Sequence, residues 1–293
     1  MNNCDMVVVT TGQNTGVIIC KSSWHYMTPE EHERYSRHIS LPQVGLAGQQ
    51  KFMAARVLII GMGGLGSPLA IYLAAAGVGT LVVVDYDTVE LSNLQRQIVH
   101  RTANIGRPKV DSAAEQLQQL NPHCQVIVIN GQLTGAALTE QIGLADVVVD
   151  ASDNFDTRFE LNAACVAQGK TLVSGAVIRM EGQVSVFHNE HPDAPCYRCL
   201  YRDEQGEGDS CSLTGVLAPV VGIIGTIQAT EVLKVLLGIG TTLGGRLLIL
   251  DALQMEWRTL KLRKDPQCPV CGQGRAEWDI NRSKNLYKHH AAK

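Results

Sequence analysis

The chain has 293 residues, 45% of them hydrophobic and 18% charged, with a formal net charge of −3. A balance this close to neutral argues against an extended nucleic-acid-binding surface, and no apolar run is expected to reach the length of a membrane span. The nine cysteines are an odd number. Four of them form two Cys-x-x-Cys pairs, which in a chain read as having no secretory leader points to metal rather than disulfides and to the cytoplasm.

Residues 1–26 hold two short apolar runs, Val7 to Val9 and Val17 to Ile19, too poorly flanked for a signal-peptide core. The segment is expected to be disordered or extraneous. Thr28-Pro-Glu-Glu31 then supplies an N-cap and a proline at the first helical position. The stretch Glu33 to Ile39 continues with a helix-like pattern carrying Arg34 and Arg37, until Leu41-Pro42 ends it. Next, Arg56-Val-Leu-Ile-Ile60 breaks into Gly61-Met-Gly-Gly-Leu-Gly66 and resumes as an apolar helix, so the stretch reads strand, tight turn, helix. Gly61 permits the turn, Gly63 lets backbone approach a phosphate, and Gly66 lets the helix pack closely on its strand. Some nucleotide is therefore expected at this turn.

Thr80 to Val84 is a second buried strand ending in Asp85-Tyr-Asp87. An acid there can bond ribose hydroxyls, an arrangement that dehydrogenases and ATP users share. Two cations follow, Arg96 and Lys109, the latter opening a helix that stops at Asn121-Pro122. ATP brings more negative charge than a dinucleotide diphosphate, so this pair suits a triphosphate better. Gln125 to Ile129 and Asp146 to Asp150 are the third and fourth strands of a doubly wound pattern, which directs Asp153 into the same crevice as Gly61 and Asp85. A carboxylate beside a polyphosphate calls for Mg²⁺ between them. The competing role for Asp153 is an N-cap of the following helix, for which Asp156 also qualifies.

The character of the chain then changes. Val173 to Val177 and Gly182 to Phe187 are short strands of a more antiparallel half, followed by Cys196-Tyr-Arg-Cys199 and, far downstream, Cys268-Pro-Val-Cys271. Four thiolates at these spacings satisfy Zn²⁺ with no open position, so a structural zinc site is expected. Between the pairs, Tyr201 to Ser212 reads as a long polar loop holding Cys211, a nucleophile or an incidental thiol. Val220 to Leu237 reads as a buried helix with small residues for close packing, within the chain or across a subunit boundary. Arg246 to Leu250 and Glu256 to Leu262 complete the sheet. The expected architecture is α/β: a Rossmann-like, doubly wound, mostly parallel sheet extended by an antiparallel C-terminal half, forming one domain over 27–272 with a flexible tail at 273–293.

In combination, Gly61 to Gly66, Asp85, Ser92-Asn-Leu-Gln-Arg-Gln97, Arg107-Pro-Lys109, Ser152-Asp-Asn154 and the cysteine pairs resemble the bacterial adenylyltransferases related to ubiquitin-activating enzymes, over roughly Thr28 to Gly272. The resemblance implies adenylation by Mg²⁺ and ATP of the C-terminal Gly-Gly carboxylate of a ubiquitin-like sulfur carrier, with release of pyrophosphate. It further implies Asp85 at the ribose, Asn93, Arg96 and Lys109 at the phosphates and Asp153 at Mg²⁺. Gly61, Gly63, Gly64, Gly66, Asp87 and Asn154 complete that ATP site. Arg37 matches an arginine that enters the partner subunit's site in a homodimer, and Cys211 matches a loop cysteine that attaches to the carrier in some relatives. Sulfur is expected from a separate donor, a cysteine desulfurase or a rhodanese. Ser174 to Gln183 looks like the molybdopterin branch, the expected one, whereas Leu133 to Leu138 looks like the thiamine branch. The rival enzyme class is an NAD-dependent oxidoreductase, against which the cations and Asp153 argue.

Overall fold

The computed structural model describes residues 27–201 and 215–272, together with a two-stranded antiparallel pair of β1 (Met6–Val9) and β2 (Val17–Cys20). The rest of 1–26, the loop holding Cys211 and the tail 273–293 lie outside the described residues, as do the expectations for them.

Helix α1 (Pro29–Arg34) starts in a capping box: Thr28 Oγ1 accepts from the Glu31 N–H at 3.2 Å, and Glu31 Oε2 accepts from the Thr28 N–H at 2.7 Å. The expected single helix through Ile39 is split. Tyr35, buried and bonded by Asn121 Nδ2 at 2.8 Å, ends α1, and α2 (Ser36–Ile39) starts anew. Helix α3 (Gly45–Ala54) follows, then β3 (Arg56–Ile60), α4 (Gly66–Ala75) and β4 (Thr80–Asp85). The chain continues with α5 (Lys109–Leu120), β5 (Gln125–Asn130), α6 (Gly135–Leu144), β6 (Val147–Asp150) and α7 (Phe155–Gln168). It closes with β7 (Leu172–Ile178), β8 (Glu181–Phe187), α8 (Tyr197–Leu200), α9 (Ala218–Leu237), β9 (Arg246–Asp251) and β10 (Glu256–Lys261).

Strands β3 to β10 form one eight-stranded sheet in the order β10-β9-β8-β7-β6-β3-β4-β5. The pairs among β7, β6, β3, β4 and β5 are parallel, and β8, β9 and β10 add antiparallel, the mixed sheet that the strand pattern predicts. Alternate residues feed two cores, because successive side chains on a strand point to opposite faces. Val57, Ile59, Leu81 and Val83 pack with α4, α5 and α9, while Leu58, Ile60, Val82 and Val84 pack with α6 and α7. Strands buried on both faces explain why β3, β4 and β6 read as unbroken apolar runs. After β3 the chain winds to β4 and β5 on one side, then returns to β6 and β7 on the other. The crevice at that reversal lies beyond the carboxyl ends of β3, β4 and β6.

One expectation is corrected. Helix α9 is 20 residues with a mean hydropathy of 1.7, long and apolar enough to cross a bilayer, although the sequence was expected to hold no such run. The structure uses it as a core helix, with Val220, Ile224, Ala229 and Val232 buried in the core shared with α4. Its two glycines differ: a Cβ on Gly225 would sit 2.5 Å from the Leu65 carbonyl oxygen, whereas one on Gly222 would meet nothing within 4 Å. On the facing strand, a Cβ on Gly182 would sit 2.4 Å from Ile224.

Candidate nucleotide site and four-cysteine cluster

The glycine turn is held in place by backbone. Gly61 has φ +98° and its N–H donates to the Val84 carbonyl at 2.8 Å, while a side chain there would meet the Ala151 carbonyl at 2.6 Å. Gly66 makes the close approach expected of it, since a Cβ would lie 2.0 Å from the Gly61 oxygen. Above Gly63 the space is open, its nearest neighbour being the Gln97 amide at 3.6 Å from a built Cβ.

Around this turn a cleft opens, with about 1100 Å³ of space unfilled by protein atoms when the open solvent at its mouth is included. Its wall brings together Gly61, Gly63, Gly64, Asp85, Asp87, Arg96, Lys109, Asp153 and Asn154. Three expected residues are not on that wall. Gly66 lies beneath it in α4, and Arg37 is exposed on α2, away from the cleft of its own chain. Asn93 is buried beside it, with Oδ1 accepting from the Glu90 N–H at 3.2 Å and Nδ2 donating to Ser92 Oγ at 3.4 Å. Cys211 lies outside the described residues.

Asp85 closes β4 with its carboxylate turned back onto the turn. Oδ2 accepts from the Met62 N–H at 2.7 Å and Oδ1 from the Asp87 N–H at 2.9 Å. Each carboxylate oxygen has a second lone pair, so ribose hydroxyls can still bond there. Burial pushes the Asp85 carboxyl above its ordinary range, and Lys109 together with the two backbone N–H groups pulls it back. Lys109 is buried, with Nζ 2.7 Å from Asp87 Oδ2. Arg96 Nη1 rests on the Ser92 carbonyl at 3.1 Å, a contact that leaves the rest of the guanidinium for anions.

Asp153 is exposed in the turn between β6 and α7, where its Oδ1 accepts from Asn154 Nδ2 at 3.4 Å. Neither Asp153 nor Asp156 caps α7. Asn154 does, its Oδ1 accepting from the Thr157 N–H at 2.9 Å, which leaves Asp153 free for another role. The fit of a divalent cation rests on the carboxylates of Asp85, Asp87 and Asp153, which line one cleft. Burial and then the Asp87, Asp153 and Asp85 carboxylates raise the Tyr86 phenol, which marks a concentration of negative charge at this mouth. Oxygen donors of this kind are what Mg²⁺ selects.

Two residues that sequence reasoning passed over also support the cleft. Arg158 is buried on its wall, with Nη2 donating to the Ser152 carbonyl at 2.7 Å and Nε 3.7 Å from Asp150 Oδ2. It thus braces the turn that presents Asp153. His100 lies beneath the glycine turn, with Nε2 3.1 Å from the Met62 carbonyl oxygen. An arginine four residues after a cap and a histidine in an irregular stretch carry no sequence signal of their own, because their partners come from distant segments.

At the far side of α7, the four Sγ atoms of Cys196, Cys199, Cys268 and Cys271 lie within 4.8 Å of one another. Cys196 and Cys268 are 3.7 Å apart, and Cys199 and Cys271 are 3.4 Å apart. A tetrahedral zinc with bonds of about 2.3 Å needs edges close to these, so the donor set fits Zn²⁺. The Asp265 N–H donates to Cys199 Sγ at 3.4 Å and Asn162 Nδ2 to Cys196 Sγ at 3.7 Å, contacts that favour thiolate. Neither cysteine pair is disulfide-bonded.

A doubly wound sheet with a glycine turn, a carboxylate closing the second parallel strand and cations gathered at its reversal point is the architecture of nucleotide-binding α/β proteins. A profile described as the ThiF family matches residues 35–270, and the chain belongs to that family. It is similar to the SAMP-activating enzyme E1 of Haloferax volcanii, 48% identical over 83% of this chain and 89% of the relative. It is 47% identical to the sulfur carrier protein ThiS adenylyltransferase of Escherichia coli, over 86% of this chain and 99% of the relative. It is 45% identical to the molybdopterin-synthase adenylyltransferase of the same organism, over 84% and 99%. Among solved structures, PaaA superposes with a TM-score of 0.70 at 25% identity, covering 84% of this chain and 79% of that one. By this kinship the chain is an enzyme of the adenylyltransferase class.

Proposed function

We propose that the enzyme uses ATP to adenylate the C-terminal glycine carboxylate of a small ubiquitin-like sulfur carrier, preparing it to receive sulfur. One observation carries the reading: the glycine turn, Asp85, Arg96, Lys109 and Asp153 all face one cleft at the sheet's reversal point. A carboxylate oxygen of the carrier attacks the α-phosphorus, the bond from that phosphorus to the bridging oxygen breaks, and pyrophosphate leaves with the electron pair. Asp85 holds the ribose. Lys109 and Arg96 meet phosphate charge, and Lys109 exchanges Asp87 for phosphate oxygen as the nucleotide seats. Preorganised cations of this kind stabilise the charge that grows on the pentavalent phosphorus without solvent reorganisation. Asp153 would hold Mg²⁺, which when bound supplies Lewis-acid neutralisation of phosphate oxygens. The thiolates of Cys196, Cys199, Cys268 and Cys271 would hold zinc in a closed structural site.

The enzyme is read as a homodimer in which Arg37 of one subunit completes the other's cleft, which accords with its exposure and with its lying outside the lining of its own chain's cleft. The carrier is read as the molybdopterin-synthase type, on the sequence from Ser174 to Gln183. The thiamine-pathway carrier is the second reading, favoured by Leu133 to Leu138 and by the ThiS-directed relative at 47% identity. Exchange of radiolabelled pyrophosphate into ATP tests this directly. Exchange stimulated by the molybdopterin-type carrier is expected. Stimulation by the thiamine-type carrier alone would reassign the substrate, and no exchange with either would end the adenylation reading.

A further inference from the structure

Behind the glycine turn, His100 is 4% exposed and bonded on both ring nitrogens. Nε2 lies 3.1 Å from the Met62 carbonyl oxygen, and Nδ1 lies 2.9 Å from Ser112 Oγ. A carbonyl only accepts, so Nε2 must carry the proton. Nδ1 is then bare and accepts from the serine hydroxyl, which fixes the tautomer of a neutral ring. These two bonds close a circuit. Met62 gives its N–H to Asp85, Asp85 receives the N–H of Asp87, and Asp87 pairs with Lys109. Lys109 opens the helix that carries fully buried Ser112, and Ser112 returns to His100. The circuit thus joins the glycine turn, the acid facing the ribose and the phosphate-facing lysine through one imidazole.

We propose that His100 is a positioning residue for ATP, holding the Met62 peptide and α5 at a fixed spacing so that Asp85 and Lys109 meet ribose and phosphate together. The inference rests on the adenylation reading. Burial pushes the His100 ring down to about 4, in keeping with a group built to stay neutral. A ring that only filled space would have no need of either bond, and a phenyl ring would serve as well. A ring that positions the turn must keep its donor to Met62.

The test has two arms. Nitrogen-15 spectra of the full-length protein labelled at histidine read the tautomer, and a protonated Nε2 with a bare Nδ1 is expected for His100. A spectrum with the proton on Nδ1 would overturn the proposal. In the second arm, a fluorescent ATP analogue is titrated against the parent, His100→Phe and His100→Gln, each first checked for a cooperative melt. His100→Phe is expected to weaken ATP binding about tenfold, the scale of one buried hydrogen bond. His100→Gln, whose amide can still donate to Met62, is expected to stay within about threefold. Carrier-dependent turnover at saturating ATP should change little in either variant, so the defect appears in KM and not in kcat. Parental affinity in folded His100→Phe, or equal losses in both variants, would overturn the positioning role while leaving the adenylation reading intact. Failure of the parent itself to bind ATP would end that reading and the proposal with it.

Discussion

The cleft and the four-cysteine cluster sit against the N-terminal and C-terminal halves of α7 and solve the binding problem in opposite ways. The cleft is open. Its charged groups rest on protein partners, Lys109 on Asp87 and Arg96 on a carbonyl, that a substrate can displace. The cysteine cluster is closed, with four soft donors facing one another and none left for a substrate. Exchangeable partners suit chemistry, and a saturated donor set suits structure. Asn162 joins the two regions, since it accepts from the Tyr197 N–H at 2.9 Å on the cysteine side while belonging to the helix that Asn154 caps on the other.

If this contrast is right, the two regions fail differently. The largest effect is expected from Cys199→Ser, or from a chelator added to zinc-loaded protein, because under the zinc reading a site absent from the unfolded chain contributes its binding energy to folding. A loss of about 5 kcal/mol or more is expected in denaturant melts. Exchange per folded molecule should survive below the melting transition, and its loss there would merge the two regions into one. Next, Asp153→Ala should lower carrier-dependent exchange roughly a thousandfold while the melting temperature stays within a degree or two of the parent. A variant that melted early would return Asp153 to a structural role. Gly66→Ala comes third. A methyl 2.0 Å from the Gly61 oxygen forces the turn open, at about 3 kcal/mol of stability, together with weaker ATP binding.

The smallest effect is with pH. His100 is held near 4 in the folded chain against 6.5 when free, so the unfolded state binds the extra proton between those values. Its contribution is complete above pH 6.5 and is lost as pH falls towards 4, on the order of 3 kcal/mol in all. Asp85 works with the opposite sign, because burial raises its carboxyl and the folded state keeps that proton longer. A net loss of roughly 1–2 kcal/mol between pH 7 and 5 is expected from urea melts. His100→Gln should flatten it.

Much of the parallel half is written locally. Runs such as Thr80 to Val84 announce buried strands because both faces are covered, and the glycine turn announces itself because each glycine answers a steric demand. The cysteine cluster is equally legible, since a two-residue spacing already presets half a tetrahedron. Helices α3 and α6 are not legible. Each contains two glycines, with Gly135 opening α6, and their helicity comes from packing against neighbours rather than from a strong periodic stripe. Asn154, not Asp153 or Asp156, caps α7, a choice among adjacent polar residues that only the path of the turn decides. Arg158 and His100 become meaningful only when Ser152, Met62 and Ser112 arrive beside them, and nothing within a few residues foretells that.

The apolar length of α9 has a consequence for how the chain is made. The face of α4 that α9 covers, with Leu65 and Leu69 in their shared core, leaves the ribosome some 150 residues earlier. Contacts so distant in sequence close late, and until then the growing chain displays an oily flank beside its nearly complete parallel strands. A nascent chain released before Ala218 would therefore present that flank to any chaperone or neighbouring chain within reach. The helix that completes the nucleotide fold is also the one that makes it safe to leave alone.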